Sequence, residues 1–451
     1  MGIQITQLWN RVLETPFFRN IFKLSFSSVF VMALSIIVTP LLSRIYDPAC
    51  YGEWGVFSSV VMIITSFIFF SYENVIVRTD DKKELPSAVA LCLLLSVSVI
   101  ALTFIVFLTG GVLSISFFAT FPSIILLVVA LLSNTLNTLF SNISNRYALY
   151  TAMSLAGIIA GASQALFRLL FGVFHIESGL IYGNILSVLL SVSFYFYQTR
   201  KILKYDIVIP VRISEIKQVA LKYKRFPLFD APARMIEYVI GNVVIIILSL
   251  FFDLKEIGCF SMIATLVQIP LTLMGTSMST VYFKDLSDIS NDKDKVKELT
   301  RRTARICFIM SFLPCLFLVL GGDYLLVLFL GGKWTLAGSM SLCLAIFSIP
   351  VILSEPLIPL FKVLNRQDLR FWLNIANLVA IIISIYGGIF LSHNILITLI
   401  LYSASYALLR FVMFGYQLRL VGLSFWDFKK EMVVIVLLYV ALFIRLFFVL
   451  A

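Results

Sequence analysis

The residues of this sequence that could do chemistry are polar and charged side chains set inside long apolar segments. The segment 150–172 carries small, polar and charged residues at spacings of 3, 4, 3 and 4, which places them on one face of a helix. They are Ser154, Gly157, Gly161, Gln164 and Arg168. Such a face either packs against a neighbouring helix through its small residues or lines a polar cavity, and the sequence leaves both interpretations open.

Two further segments carry polar faces. The first face consists of Asn134, Thr138, Ser141, Asn142 and Asn145. The second holds Asp230, Arg234 and Glu237, of which Asp230 and Arg234 stand four residues apart and are predicted to pair. A charge at mid-membrane costs about 2.5–3.5 kcal/mol on insertion scales. The second cluster is therefore either a neutral structural pair or part of a polar cavity that meets an anionic headgroup.

Two carboxylates also stand in or beside apolar segments. One is Glu73, and the other is Glu355, which lies among Pro350, Pro356 and Pro359. Prolines break a helix and free backbone groups. A carboxylate at such a break either binds a coupling proton or accepts hydrogen bonds from the freed N–H groups.

No motif for ATP or metal chemistry accompanies these residues. The sequence has no phosphate-binding loop ending in Gly-Lys-Ser/Thr, no His-Glu-x-x-His and no acidic metal cluster. With two His residues in the whole chain, a zinc site or His-based catalysis is not expected. The sequence therefore predicts no cofactor, no metal site and no enzymatic activity.

The elements that must position these residues are membrane helices. The chain has 451 residues, of which 60% are hydrophobic and 13% charged, and its mean hydropathy is +1.01, whereas a soluble domain carries about 25% charged residues. The apolar runs are continuous and long enough for spanning helices, at about 20 residues each. The predicted spans are 22–43, 54–77, 86–108, 117–145, 150–172, 178–198, 228–251, 258–283, 305–330, 338–362, 370–391, 395–417 and 431–450.

The distribution of basic residues predicts the orientation. With the N-terminus inside, 28 of the 35 Lys and Arg fall in cytoplasmic segments, and Arg44, Lys255 and Lys333 fall in outer loops. Lys and Arg collect in cytoplasmic loops, so the net charge of +11 indicates orientation rather than nucleic-acid binding. The last segment carries Arg445, which weakens it as a simple span.

A short stretch recurs at half the length of the chain. The motif Tyr46-Asp47, then Tyr51-Gly52, is matched 206 residues later by Phe252-Asp253, then Ile257-Gly258. This repeat predicts a duplicated bundle with polar turns at the outer surface. The predicted domains are an amphipathic N-terminus at 1–20, lobes at 21–200 and 228–418 joined by a linker at 201–227, and an extra hydrophobic helix at 419–451.

Three stretches resemble a known family. Pro40–Tyr46 through Gly52 resembles the connection between helices 1 and 2 of bacterial polysaccharide exporters. Tyr72–Val77 is similar to the Arg-Tyr-Glu-x-Ala-Ile-x-Leu stretch of O-antigen flippases of the Wzx type, with Ser71 in place of the usual Arg. Lys222–Leu228 resembles the Tyr-x-x-Phe-Pro motif that opens their second half. The likeness covers residues 20–420.

The resemblance implies the fold of the multidrug/oligosaccharidyl-lipid/polysaccharide exporter superfamily. That fold is all-α and integral to the membrane, with two six-helix lobes as a parallel pseudo-repeat around a central inter-lobe cavity; here one extra C-terminal hydrophobic segment follows. Family members move an undecaprenyl-diphosphate-linked oligosaccharide, such as an O-antigen repeat unit, from the cytoplasmic to the periplasmic leaflet. Alternating access is the mechanism that this implies.

Such a cargo assigns expected roles to the polar residues. Arginine suits a diphosphate because its planar fork donates two parallel hydrogen bonds, so Arg234 and Arg168 are expected to contact the headgroup and Arg44 to stand at the cavity mouth. The residues expected to contact sugar are Asn134, Asn137, Asn145 and Gln164. The carboxylates expected to act in coupling or gating are Glu73, Glu237 and Glu355.

Three other functions remain open. They are a cation-coupled exporter of small molecules on the same fold, a lipid II flippase, and a polymerase or ligase, although the short outer loops disfavour an enzyme. The expected location is the bacterial inner membrane, with the N-terminus in the cytoplasm. The expected partners are membrane lipid, the lipid-linked oligosaccharide and a surface-polysaccharide polymerase, with no nucleic acid, and the chain is expected to be a monomer.

Overall fold

The computed structural model describes residues 16–79, 84–112, 123–207, 211–289 and 292–450. Most of the amphipathic N-terminus predicted at 1–20 lies outside these residues. The regular elements of the described ranges are helices, and twelve helical stretches among them are long and apolar enough to cross a membrane. The all-α membrane fold predicted from composition is confirmed.

Contacts divide the chain into two compact units. The first unit comprises the residues up to Tyr46 and Phe57–Tyr238, and the second comprises Asp47–Val56 and the residues from Val239 onward. The predicted domain boundaries, with a linker at 201–227, stay a prediction.

The first unit is built from the N-terminal helices. In it α6 packs on both α1 and α7, while α5 packs on α7. The elements are α1 (Pro16–Ile45), the part of α2 (Pro48–Phe67) from Phe57 onward, α3 (Glu73–Arg78), α4 (Glu84–Val112), α5 (Ile124–Arg146), α6 (Tyr150–Val173), α7 (Gly179–Ile202), α8 (Ile213–Lys222) and the part of α9 (Ala231–Ser249) up to Tyr238.

The second unit is arranged around one central helix. This helix, α13, is buried along most of its length and packs against α10, α11, α16 and α17. The elements are the first turns of α2 up to Val56, the part of α9 from Val239 onward, α10 (Leu254–Asp288), α11 (Lys293–Phe317), α12 (Asp323–Leu330), α13 (Thr335–Ser354), α14 (Pro359–Val363), α15 (Gln367–Ser392), α16 (Ile395–Leu420) and α17 (Lys429–Leu450).

Several predicted spans are broken in the structure. The span predicted at 54–77 is α2, which ends at Phe67, followed by a turn and the short helix α3. Within the turn, Phe70 and Ser71 adopt φ values of 48° and 63°, a left-handed conformation that ends an α-helix. The span predicted at 305–330 is broken in the same way at Gly321, whose φ is 114°.

The turn of the repeated motif is shorter than predicted. Only Tyr46 and Asp47 lie between α1 and α2, so Gly52 is inside a helix and does not turn the chain. A Cβ on Gly52 would clash with the carbonyl of Leu254, and a Cβ on Gly258 would clash with the carbonyl of Pro48. Both pairs are related by the 206-residue offset. Because these glycines have no side chain, the backbones of the first turns of α2 and α10 can contact each other where the helices cross.

The thirteenth predicted span corresponds to α17, and its arginine is neutralised. Arg445 donates to the carbonyl of Val319 at 2.8 Å and pairs with Asp323 at 2.5 Å. Its guanidinium carbon also lies 5.2 Å from the ring centroid of Tyr324. Phe425–Val449 is accordingly among the stretches apolar enough to span.

Candidate functional site

The first unit contains an ion pair between Glu73 and Arg234. Glu73 is the first residue of α3, directly after the left-handed turn, and its side chain is only 6% exposed. Arg234 lies on the first turn of α9, and its Nη1 donates to Oε1 of Glu73. Arg234 therefore pairs with a residue 161 positions away instead of with Asp230, as the sequence predicted. The two residues expected to bind cargo and to gate are in contact.

The exposure of this pair is uneven. The side chain of Arg234 is 37% exposed, whereas that of Glu73 is 6% exposed, and Oε2 of Glu73 is buried without a hydrogen-bond partner. An approaching anion would thus meet the arginine first. Glu73 neutralises the arginine, which lowers the cost of placing a charge in a membrane helix.

The amide side chains of α5 hold local and interhelical contacts. Asn134 donates to the carbonyl of Ala130 at 2.8 Å, and Asn137 accepts a hydrogen bond from Ser191 of α7 at 3.0 Å. Asn137 thus joins two helices, while Asn134 and Asn145 are partly exposed. The expected role of these residues in sugar binding stays a prediction.

The small-residue face of α6 is a packing seam where it meets α1. A Cβ on Gly161 would lie 2.6 Å from the side chain of Val31, and one on Gly157 would lie 3.8 Å from Ser27. The packing interpretation therefore holds at these two glycines. Gln164, one turn further, is partly exposed.

Arg168 lies where α6, α7 and the end of α1 meet. Its Nε donates to the carbonyl of Leu180 at 3.2 Å, and its own carbonyl accepts the hydroxyl of Tyr46 at 2.8 Å. A Cβ on Gly183 would lie 2.8 Å from the Arg168 side chain. The arginine thus contacts protein groups of the first unit, and a role in headgroup binding stays a prediction.

The remaining predicted residues of the first unit are Arg44 and Glu237. The Nη1 of Arg44 donates to the carbonyl of Pro40 at 3.2 Å, and the side chain of Glu237 is exposed on α9. Their expected roles at the cavity mouth and in gating stay predictions.

The Tyr-x-x-Phe-Pro motif is anchored to the start of α4. Lys222 pairs with Glu84 at 2.5 Å, Tyr223 donates to the same carboxylate at 3.1 Å, and Tyr72 donates to the carbonyl of Ala220 at 2.9 Å. The hydrogen bond to Glu84 raises the pKa of Lys222. Within the first unit, these contacts hold α8 against the start of α4.

Glu84→Gln is expected to loosen α8, because it removes the charge that Lys222 contacts. Amide hydrogen exchange across residues 213–222 should speed up, and the wild type should approach the variant in 1 M salt, which screens exposed charges. Because the pKa of Lys222 is raised in the folded protein, its ion pair contributes stability at every pH below the ordinary lysine pKa. That stability is lost only as the pH rises through the raised pKa. The difference between wild type and variant should therefore be constant from about pH 6 to 9; a salt-independent difference would contradict this account.

The second unit holds another ion pair, which is partly buried. Arg410 of α16 contacts Glu355 at 2.6 Å, and its Nη2 donates to the hydroxyl of Tyr406 at 2.7 Å. The guanidinium carbon also lies 5.0 Å from the ring centroid of Tyr406. Glu355 begins a 3₁₀ turn that follows α13. The carboxylate is thus held by the side chain of Arg410.

The sequence pattern did not predict which residues form these ion pairs. Tyr406 precedes Arg410 by four residues, a spacing that places both on one helical face and could have indicated their contact. Glu73 and Arg234, or Asp323 and Arg445, have no such local relation, because the fold alone brings them together.

Comparisons with known proteins agree with this architecture. A family model described as polysaccharide biosynthesis protein matches residues 41–338, which is more than half of the chain. No curated protein matches. The chain is similar to the solved lipid II flippase MurJ in an inward closed conformation, with a TM-score of 0.72 and 14% identity, covering 92% of this chain and 91% of that one.

A second solved structure has the same fold. It is an inward-facing multidrug resistance MATE family transporter of the MOP superfamily, with a TM-score of 0.65 and 14% identity, covering 89% of this chain and 98% of that one. Both similar structures are transporters or flippases rather than enzymes. The chain therefore belongs to the polysaccharide biosynthesis protein family, and it has the fold of MOP superfamily transporters.

Proposed function

We propose that this protein flips an undecaprenyl-diphosphate-linked oligosaccharide from the cytoplasmic to the periplasmic leaflet by alternating access. The observation that carries the proposal is the Glu73–Arg234 pair, a neutralised guanidinium inside a membrane unit whose arginine is its more exposed member. The family match supports a role in polysaccharide synthesis. The similar structure MurJ is a lipid II flippase, which supports a lipid-linked cargo.

The chemistry of such a cargo matches this pair. A diphosphate-sugar headgroup is large, polar and anionic, so a membrane excludes it unless protein groups replace its water. In this proposal Arg234 donates hydrogen bonds to the phosphate oxygens. It does so through the guanidinium N–H groups that are not used in its contact with Glu73. Glu73 gates this exchange by holding the arginine until the phosphate arrives.

The remaining predicted residues keep secondary roles in the proposal. The basic residues Arg168 and Arg44 contribute positive potential, and Glu237 acts in gating. The residues that contact sugar hydroxyls are Asn134, Asn137, Asn145 and Gln164. The protein resides in the bacterial inner membrane as a monomer with a cytoplasmic N-terminus, and a surface-polysaccharide polymerase takes over the product.

The genetic test is deletion followed by complementation. Deletion should remove the surface polysaccharide and let its lipid-linked unit accumulate in the cytoplasmic leaflet. A wild-type copy should restore the polysaccharide, and an Arg234→Ala copy at equal abundance should not. Normal surface polysaccharide in the deletion strain would overturn the proposal.

The MATE-like fold supports a second candidate, a cation-coupled exporter of small molecules. The same deletion strain distinguishes the two functions. Unchanged polysaccharide together with increased sensitivity to amphipathic drugs would favour the exporter. Loss of viability with accumulated lipid II would favour a lipid II flippase.

A further inference from the structure

The C-terminal end of α7 and the π-helical turn after it, Leu203–Ile207, carry three exposed cations: Arg200, Lys201 and Lys204. Lys204 stands four residues after Arg200 and three after Lys201, so the three lie on one side of the helix and are called here the α7 basic face. Other cations form the ion pairs found among the described residues. The nearest acidic residue along the chain, Asp206, accepts a hydrogen bond from the hydroxyl of Tyr147 at 2.7 Å.

Two tyrosines lie against the α7 basic face. The guanidinium carbon of Arg200 lies 4.4 Å from the ring centroid of Tyr197, and Nζ of Lys204 lies 5.7 Å from the ring centroid of Tyr205. The two tyrosines are 59% and 70% exposed. The quadrupole of an aromatic ring attracts a cation placed over its face, and a guanidinium held in this way keeps its N–H groups as donors. Arg200 is thus oriented in advance for a ligand that accepts hydrogen bonds.

The position of this face along the chain places it at a membrane surface. The stretch Gly179–Ile207 is long and apolar enough to span, and the residues at 194–197, just before the three cations, are Phe, Tyr, Phe and Tyr. Tyrosine rings are enriched at the level of the lipid headgroups, and long basic side chains beyond them extend into the headgroup region. Lipid phosphates therefore lie at the level of the α7 basic face.

We propose that the α7 basic face binds the phosphate of an anionic phospholipid, such as phosphatidylglycerol, from the leaflet that surrounds this end of α7. The guanidinium of Arg200 donates hydrogen bonds to the phosphate, and the two lysines add positive charge. Charge complementarity selects this occupant, because a zwitterionic lipid such as phosphatidylcholine brings a quaternary ammonium beside its phosphate and is attracted less by three cations. The bound lipid stays in its leaflet, so this site is separate from the proposed cargo.

The start of α11 provides a matched control. It also carries three lysines within five residues, but three acidic residues alternate with them, and one of these, Asp292, pairs with Lys295 at 3.0 Å. Neutralising the lysines therefore changes the net charge of the protein by the same amount at a place where the local charge is balanced. The three lysines are Lys293, Lys295 and Lys297.

The test is native mass spectrometry of the full-length protein in detergent, titrated with dioleoylphosphatidylglycerol or with dioleoylphosphatidylcholine. The wild type should bind phosphatidylglycerol more tightly. A triple variant with Arg200→Gln, Lys201→Gln and Lys204→Gln should bind its tightest phosphatidylglycerol about 100-fold more weakly, at about fivefold for each charge near a membrane surface. The matched triple variant of α11, with Gln at all three lysines, should bind it as the wild type does.

Variants of Tyr197 distinguish an organised site from general attraction by positive charge. Tyr197→Phe keeps the ring and should bind phosphatidylglycerol like the wild type. Tyr197→Leu keeps all three cations but lacks the ring quadrupole, so it should bind about two- to fivefold more weakly.

Three results would overturn the inference. They are equal affinity of the wild type for the two lipids, equal losses in the two triple variants, and tighter binding of undecaprenyl diphosphate than of phosphatidylglycerol at this face. Because phosphatidylglycerol binding is measured without cargo, its failure would leave the flippase proposal standing. Failed complementation would leave the lipid site standing.

Discussion

Arg234→Ala is expected to abolish transport and to destabilise the protein by about 3–5 kcal/mol, the range observed when one partner of a buried ion pair is removed. The reason is that Glu73, with a side chain 6% exposed, would lose the guanidinium that pairs with its buried carboxyl group. Thermal unfolding of the purified variant in detergent should show a clearly lower midpoint than the wild type.

The variant Glu73→Gln with Arg234→Gln separates stability from function. Removing both charges leaves no unpaired ion, so the unfolding midpoint should recover most of the loss. Transport should stay absent, because no cation meets the anionic headgroup. Recovery of transport in this double variant would show that Arg234 is only a structural partner of Glu73.

Gly258→Ala is expected to cost about 3 kcal/mol, at the upper end of overpacking penalties, and a larger residue there should prevent folding. The added methyl would lie 2.6 Å from the carbonyl carbon of Pro48 and nearer still to its oxygen. These are backbone atoms at the first turn of a helix and cannot rotate away. Gly52→Ala meets the equivalent obstacle at Leu254, so it should lower the unfolding midpoint to a similar degree.

The matched control is Gly387→Ala, in a helix of the same unit. A Cβ at Gly387 would meet nothing within 4 Å, so the exchange should be neutral or stabilising by up to about 1 kcal/mol through helix propensity. If Gly258→Ala and Gly387→Ala unfold at the same temperature, the close crossing of α2 and α10 does not exist in solution.

The repeated motif shows which structural features a sequence pattern can predict and which it cannot. The 206-residue offset is visible in the sequence, but the sequence predicts turns at the glycines, since glycine is typical of turns as well as of close helix contacts. Only the structure shows that the two copies pack on one another. Neighbouring residues of the motif support this contact: Asp47 pairs with Lys333 at 3.2 Å, and Tyr51 meets Trp334 edge-on with ring centroids 5.2 Å apart.

The membrane helices were predictable because each one is a long run of apolar residues with a high mean hydropathy. The interruptions were predictable only where a proline marks them, as at Pro356. The break after Phe67 has no such marker, because Phe70 and Ser71 rarely adopt a left-handed conformation and tertiary contacts impose it. Glu73 begins the helix after that break, so its position depends on a feature that local sequence does not indicate.

The sequence predicts that charges in apolar segments need partners, but it does not identify those partners. Each charge in an apolar segment requires a partner, but the sequence offered Asp230 as the nearest partner of Arg234, whereas the fold supplies Glu73. A helical spacing can reveal partners on one helix, as with Tyr406 and Arg410. Partners on different helices follow from packing, which single-sequence patterns do not contain.

The most direct measurement is translocation in vesicles that contain only the purified protein and a labelled undecaprenyl-diphosphate oligosaccharide. A membrane-impermeant glycosidase added outside cleaves the half of the labelled lipid that faces it. Wild-type vesicles should lose nearly all of the label, because inner-leaflet lipid is flipped outward and cleaved, whereas empty vesicles and Arg234→Ala vesicles should stop at about half. Wild-type vesicles that also stop at half would contradict the account.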